Sequence, residues 1–332
     1  MSLPALSASS GCTVGYEGKV SDHFDGERFF TPWASPTNGF GAFVRWQWTR
    51  DPEPWPESVE NLYHDKPPKR AGGVRVAWVG HATVLLQIDG YNILTDPHWS
   101  ERASPVSWAG PKRIRPPGIA FEDLPPIDLV LVSHNHYDHL DLETLARLDG
   151  AHGPVIVTPL GNGELIRGSA PGSTIRELDW GENTRFQDLT ITASPAQHWS
   201  SRAGVDRNQA LWSAFVMTGP SANIYYGGDT GYGPHLRETG RSFRAFDLAV
   251  LPIGAYEPRW FMSFQHMDPA EAVNAHLNLN ARQSLAVHFE TFRLTDEAFE
   301  EPRAELLEAL DQASIPRHGF RALQVGEAWT VA

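Results

Sequence analysis

The chain contains a single cysteine, Cys12, in 332 residues. That excludes an internal disulfide framework and a cysteine-rich zinc site, so a bound metal would have to be held by histidine and carboxylate. The chain also lacks the run of roughly 18 apolar residues that a spanning helix needs. Basic charge is scarce: 27 Lys and Arg against 40 Asp and Glu leave a formal net charge of -13, and no Lys/Arg-rich block reverses it locally. Nucleic acid is therefore not an expected partner. What remains is ordinary for a globular protein, 41% hydrophobic and 20% charged, enough for one large domain or two fused halves.

Residues 1–18 show neither the basic nor the apolar region of a signal peptide. The small-residue stretch 6–12 before Cys12 reads as a disordered N-terminus, with the stump of a trimmed lipoprotein signal as the alternative. The expected compartment is cytoplasmic, soluble or peripheral to a membrane, or periplasmic if a signal was trimmed before Cys12.

Residues 1–69 are Pro-, Trp- and Asp-rich with weak periodicity, which reads as an irregular arm wrapping a core domain at 70–332. Short β-branched runs at 74–79, 83–88 and 92–95, broken by turns such as Asp89-Gly90, predict an antiparallel meander. Runs at 129–133 and 155–158 flank a helical pattern that Asp141 could cap. A second round places strands at 189–193, 211–217, 224–226, 248–251 and 285–287. Its helices start at Asp268, with Pro269 and Glu271 in the first turn, and at Asp296, where Phe299, Leu306, Leu307 and Leu310 form the expected buried stripe to about Gln312. Two rounds of strands then helices predict two sheets face to face with helices outside, an α/β sandwich.

Directly after the apolar run 129–132 comes Ser133, His134, Asn135, His136, Tyr137, Asp138, His139. In an extended segment His134 and His136 share a face, and a turn brings Asp138 and His139 round to them. Four nitrogen and carboxylate donors on so short a tether favour two divalent ions over one. Three later strand ends offer one donor each: His198, Asp229 after two glycines, and His288. Asp229 is suited to bridge two ions, because a carboxylate can share its oxygens and glycine lets backbone come close.

These residues resemble the HxHxDH signature of the metallo-β-lactamase superfamily, over residues 74 to about 325. The resemblance implies a four-layer αββα sandwich. It also implies a first zinc on His134, His136 and His198, a second on Asp138, His139 and His288, and Asp229 between them. Within the superfamily the chain is similar to the N-acylphosphatidylethanolamine-hydrolysing phospholipases D. The similarity rests on 78–83, 94–97, 110–113, 124–128, 197–199, 228–232 and 252–261. It departs at Phe289 and Glu290, where that family carries Trp and Gly, and an added carboxylate there is expected to alter head-group preference.

The expected cofactor is two divalent metal ions, zinc first, with iron or manganese as alternatives. Such a pair lowers the pKa of a shared water towards about 7 and neutralises phosphoryl charge; for the phosphodiester that the resemblance implies, this means in-line attack at phosphorus and loss of an alcohol. Asp138 is the candidate for accepting or orienting the water's proton. By the resemblance, His266 joins Asp138 as a catalytic candidate, and Tyr137, Gln265 and His266 face the substrate. Asp96, at a strand end, is expected to fix the ring of a ligand histidine, or else to cap a turn; His81 in the Gly80-His81-Ala82 turn is similar. Trp99, Trp108, Trp199, Trp260 and Phe261 are candidates for an acyl groove, and Arg259 to Met262 mixes apolar and basic groups as a peripheral membrane contact would. The expected activity is a phospholipase D-type phosphodiesterase releasing phosphatidic acid from N-acylphosphatidylethanolamine or a related phospholipid. The alternative is a lactonase of the ascorbate-phosphate lactonase type. A homodimer is an open alternative to a monomer.

Overall fold

The computed structural model describes residues 15–35 and 39–331; Cys12 and the stretch before it lie outside them. Ahead of the sheets stands one helix, α1 (Phe40–Thr49), and residues 50–73 carry no regular structure. Indoles tie the residues ahead of the sheets to the body. Trp33 Nε1 donates to Gln197 Oε1 at 2.9 Å, Trp46 Nε1 to Asp296 Oδ2 at 2.6 Å, and Trp55 Nε1 to the Glu297 carbonyl at 2.9 Å. A covered indole needs a partner for its N–H, and each finds one on a separate loop or neighbouring residue.

From residue 74 apolar alternation takes over. β1 (Val74–Gly80), β2 (Thr83–Ile88) and β3 (Tyr91–Thr95) form the antiparallel meander. β4 (Leu129–Leu131), α2 (Leu142–His152), β5 (Val155–Pro159), α3 (Gly163–Ser169) and β6 (Thr174–Leu178) follow, with β3 to β6 pairing in parallel. A second meander runs through β7 (Asn183–Phe186), β8 (Leu189–Ser194), β9 (Ala214–Thr218) and β10 (Asn223–Tyr226). The rest of the chain is α4 (Pro234–Ser242), β11 (Leu248–Pro252), α5 (Arg259–Met262), α6 (Pro269–Asn278), β12 (Ser284–Val287), α7 (Glu301–Gln312), β13 (Phe320–Arg321) and β14 (Ala328–Val331). The two seven-stranded sheets run β14-β1-β2-β3-β4-β5-β6 and β13-β12-β11-β10-β9-β8-β7.

The period of two divides each strand between layers. Val76, Trp78, Val84, Leu86 and Leu131 join the large core shared with the second sheet. Ala77, Val79, Leu85, Val130 and Val132 instead pack with Leu145 and Leu148 of α2 and Ile166 of α3. Residues of α6 and α7, among them Val273, Leu306 and Leu310, cover the second sheet's far side. The expected αββα sandwich is the observed one. No helix among the described residues is long and apolar enough to cross a membrane.

Local chemistry sets several boundaries. Asp141 caps α2, accepting from the Glu143 and Thr144 amides, and Asp268 closes a capping box with Glu271 on α6. The helix expected from Asp296 begins five residues later, at Glu301, because the Asp296 carboxylate is taken by Trp46 and Arg50. Its buried stripe is Pro302, Leu306, Ala309 and Leu310, with Phe299 and Leu307 only half-buried. The strand expected from residue 211 begins at Ala214.

Candidate metal centre

Because β3, β4, β10, β11 and β12 run parallel within their sheets, the loops after them gather at one edge of the sandwich, where sites in such folds collect. The turn after β1 brings His81, the end of β3 brings Asp96, and the loop after β4 carries His134 to His139. His198 follows β8, Asp229 follows β10, His266 follows α5, and His288 follows β12. Gly228 makes the approach of Asp229 feasible. It sits at φ +56°, and a Cβ there would lie 2.6 Å from the Ser133 Cβ.

The seven sequence-predicted donors lie together in two groups. His134 Nε2 is 2.9 Å from His136 Nδ1, and His198 Nε2 is 3.2 Å from that same atom. In the second group, His139 Nε2 and His288 Nε2 are 3.2 Å apart, and each is 3.3 Å from Asp138 Oδ2. Asp229 Oδ2 stands between the groups, 3.1 Å from both His139 and His288 and 3.8 Å from His198. All seven are buried except half-buried His136.

The outward atoms of the rings explain this arrangement. His139 Nδ1 meets Asp96 Oδ2 at 2.6 Å, His134 Nδ1 meets Ser133 Oγ at 2.9 Å, and His198 Nδ1 meets the Gln265 carbonyl at 2.9 Å. Engaging the outer nitrogen turns the inner lone pair towards the shared space. Asp96 itself accepts from the Ser133 amide and hydroxyl, at 2.7 and 2.6 Å, and from the Tyr226 hydroxyl. Its carboxylate thus faces the ligand loop and caps no turn. His81 Nε2 lies 2.8 Å from Asp138 Oδ2 and orients that carboxylate.

Charge tells the same story. Burial holds His136 down to about 3 and His198 to about 4, so both are neutral donors near pH 7. Burial would also lower His139 and His288, but Asp229 and Asp138 outweigh it, keeping His139 well above the usual range and His288 at about 9. Protons on these two rings stand where the surrounding carboxylates demand positive charge. Asp229 Oδ1, His136 Nε2 and His266 Nδ1 have no hydrogen-bond partner among the described residues. Converging imidazoles and carboxylates that cannot all bond to one another fit divalent cations, whose binding would displace those protons.

The substrate-facing candidates are arranged less uniformly. His266 Nδ1 is 3.9 Å from Asp229 Oδ2, and its ring centroid is 5.2 Å from that of His198. Gln265 contributes its main-chain carbonyl, while its side chain turns to Met262 Sδ at 3.2 Å. The Tyr137 hydroxyl donates to the Arg202 carbonyl at 3.1 Å, and the residue borders a cavity of about 510 Å³ that Trp99 also lines. Of the other groove candidates, Trp199 packs 4.3 Å from the His136 ring, Phe261 is buried, and Trp108 and Trp260 are exposed.

Glu290, expected to alter head-group preference, has its carboxylate paired with arginines inside the protein. Its buried carboxylate accepts from Arg303 at 2.9 and 3.2 Å and lies 3.5 Å from Arg115, while Phe289 stacks on Trp78 at 4.6 Å. Tyr226, which donates to Asp96, carries no motif signal, because its contact is made only in three dimensions.

The β-lactamase superfamily domain model matches residues 91–289. The N-acyl-phosphatidylethanolamine-hydrolyzing phospholipase D 1 of Caenorhabditis elegans is 40% identical over 269 residues, covering 77% of this chain and 76% of that protein. The mitochondrial N-acyl-phosphatidylethanolamine-hydrolyzing phospholipase D of Saccharomyces cerevisiae is 36% identical over 236 residues, 69% of this chain and 50% of that protein. Among solved structures, the isothiocyanate hydrolase from Delia radicum gut bacteria aligns with a TM-score of 0.60 at 24% identity over 78% of this chain and 99% of that one, a likeness of fold.

Proposed function

This chain belongs to the β-lactamase superfamily and is a metal-dependent hydrolase, and from that premise we propose a dinuclear zinc phosphodiesterase of the phospholipase D type. Its substrate is N-acylphosphatidylethanolamine or a related phospholipid, and its products are phosphatidic acid and an N-acylethanolamine. The observation that carries the metal chemistry is Asp229 Oδ2, set between two groups of nitrogen and carboxylate donors. The choice of bond and substrate follows the relative that is 40% identical.

His134, His136 and His198 would hold one ion, Asp138, His139 and His288 the other, and Asp229 both. When bound, such a pair supplies an activated water and a clamp on phosphoryl oxygens. Asp138 is held well below the usual carboxylate range: burial would raise it, but His139 outweighs burial. An anion of that kind orients a water proton through a fixed hydrogen bond, with His81 setting its angle. His266 is neutral through burial, with Nδ1 unpartnered, and its main chain is pinned by Arg259 Nη1 at 3.0 Å. It donates a hydrogen bond to a phosphoryl or leaving-group oxygen. In His266→Ala, kcat should fall about 10²–10⁴-fold with zinc content unchanged by elemental analysis; wild-type kcat would remove His266 from the reaction.

The exposed side chains of Phe43, Val44 and Trp48 on α1, with Trp260 of α5 beneath Arg45 at 4.7 Å, support peripheral contact with a lipid surface. Lys112, Arg113 and Arg115 do not form a basic face there. Arg113 and Arg115 are buried, and Lys112 pairs with Glu101 at 3.0 Å. The deciding assay incubates zinc-loaded protein with vesicles containing N-acylphosphatidylethanolamine, and separately with sugar-phosphate lactones. Phosphatidic acid release is the expected result; lactone turnover without it would overturn the assignment.

A further inference from the structure

We propose that Arg202 is a positioning residue, a clamp that holds the loop carrying His134, His136, Asp138 and His139 against the loop that follows His198. The proposal rests on the reading of those residues as a metal centre. Its geometry lies outside the donor set. Arg202 Nη1 donates to the Asn135 carbonyl at 3.0 Å and to the Leu140 carbonyl at 2.8 Å, one between the first two donors and one just past the last. The guanidinium carbon stands 4.0 Å from the centre of the Tyr137 ring, and the Tyr137 hydroxyl donates back to the Arg202 carbonyl.

Arg202 is itself held from behind. The buried carboxylate of Asp206 accepts from the Arg202 amide at 3.0 Å, the Ala203 amide at 2.9 Å and Ser201 Oγ at 2.7 Å, closing the turn on which the arginine stands. The strand leading into the donor loop, β4, belongs to one sheet, and β8, which leads to His198, belongs to the other. The clamp therefore fixes donors from the two halves of the sandwich relative to each other. Arginine suits the task because one terminal nitrogen offers two N–H groups in a rigid plane while the flat face stacks on a ring. Lysine keeps the charge without that plane.

Three measurements on purified full-length protein test this: zinc affinity by chelator competition, amide hydrogen exchange across residues 134–140 in the metal-free form, and global unfolding. In Arg202→Ala, zinc affinity should fall on the order of 10–100-fold, the range seen when outer partners of metal ligands are removed. Exchange across 134–140 should quicken in the metal-free form. Guanidinium ion at sub-denaturing concentration should restore part of both, and Arg202→Lys should fall between wild type and alanine. Wild-type affinity and exchange in Arg202→Ala would overturn the clamp, as would a loss that tracks global unfolding and does not respond to guanidinium. If wild type bound no zinc, the metal reading would fail, while exchange in the metal-free protein would still decide the clamp.

Discussion

Asp229→Ala is expected to lose at least one of the two zinc ions proposed, by elemental analysis, and to reduce kcat/KM by about 10³-fold or more. Asp229 Oδ2 lies within 3.8 Å of donors in both groups, and the residue is 4% exposed. The neighbouring carboxylates are already engaged: Asp138 with His81, His139 and His288, and Asp96 with Ser133, Tyr226 and His139. Lewis-acid stabilisation of a phosphoryl transition state contributes several kcal/mol. At roughly 1.4 kcal/mol per tenfold, losing it costs about three decades in rate. Asp229→Asn, which keeps the shape and removes the charge, should behave similarly. Wild-type metal content in the alanine variant would refute the bridging role.

Glu290→Ala should destabilise the protein by about 3–5 kcal/mol, the range for truncating one member of a buried ion pair. The effect should fall near the lower end, because the Arg303 side chain is 21% exposed and water can screen it, whereas Arg115 is 4% exposed. The loss is read as a shift of the urea midpoint. KM for the proposed phospholipid substrate should stay at the wild-type value, because the carboxylate is engaged by Arg115 and Arg303. A changed head-group preference with unchanged stability would instead restore the expectation drawn from sequence, in which Glu290 tunes the substrate.

That contrast marks how far the sequence could be read. The candidate donors were legible because each is a costly side chain placed at the end of an apolar strand, and such ends meet at one edge when strands run parallel. The direction of a side chain one residue further on was not. Glu290 sits at φ +51° and His288 at +67°, conformations uncommon for residues other than glycine, so simple alternation from β12 fails there. His81 at +52°, Asp96 at +33° and Ala255 at +62° lie in the same region of the backbone map. These departures gather around the centre, each costing about 1–3 kcal/mol, at positions where glycine itself is absent.

Elsewhere the limits were of burial. β6 and β7 carry no strand signal because Thr174, Arg176, Asn183 and Arg185 break their apolar pattern at sheet edges. β14 was missed because it is four residues long and pairs with β1, more than 240 residues earlier in the chain. Asp96 was legible only as one of two roles. The choice between ring partner and turn cap depended on Ser133, Tyr226 and His139 converging on it.

Anomalous diffraction at the zinc edge, from crystals of the zinc-loaded protein, tests the central claim most directly. The account predicts two peaks in each chain, one among His134, His136 and His198 and one among Asp138, His139 and His288, with Asp229 reaching both. A single peak, or a pair lying elsewhere, would contradict it.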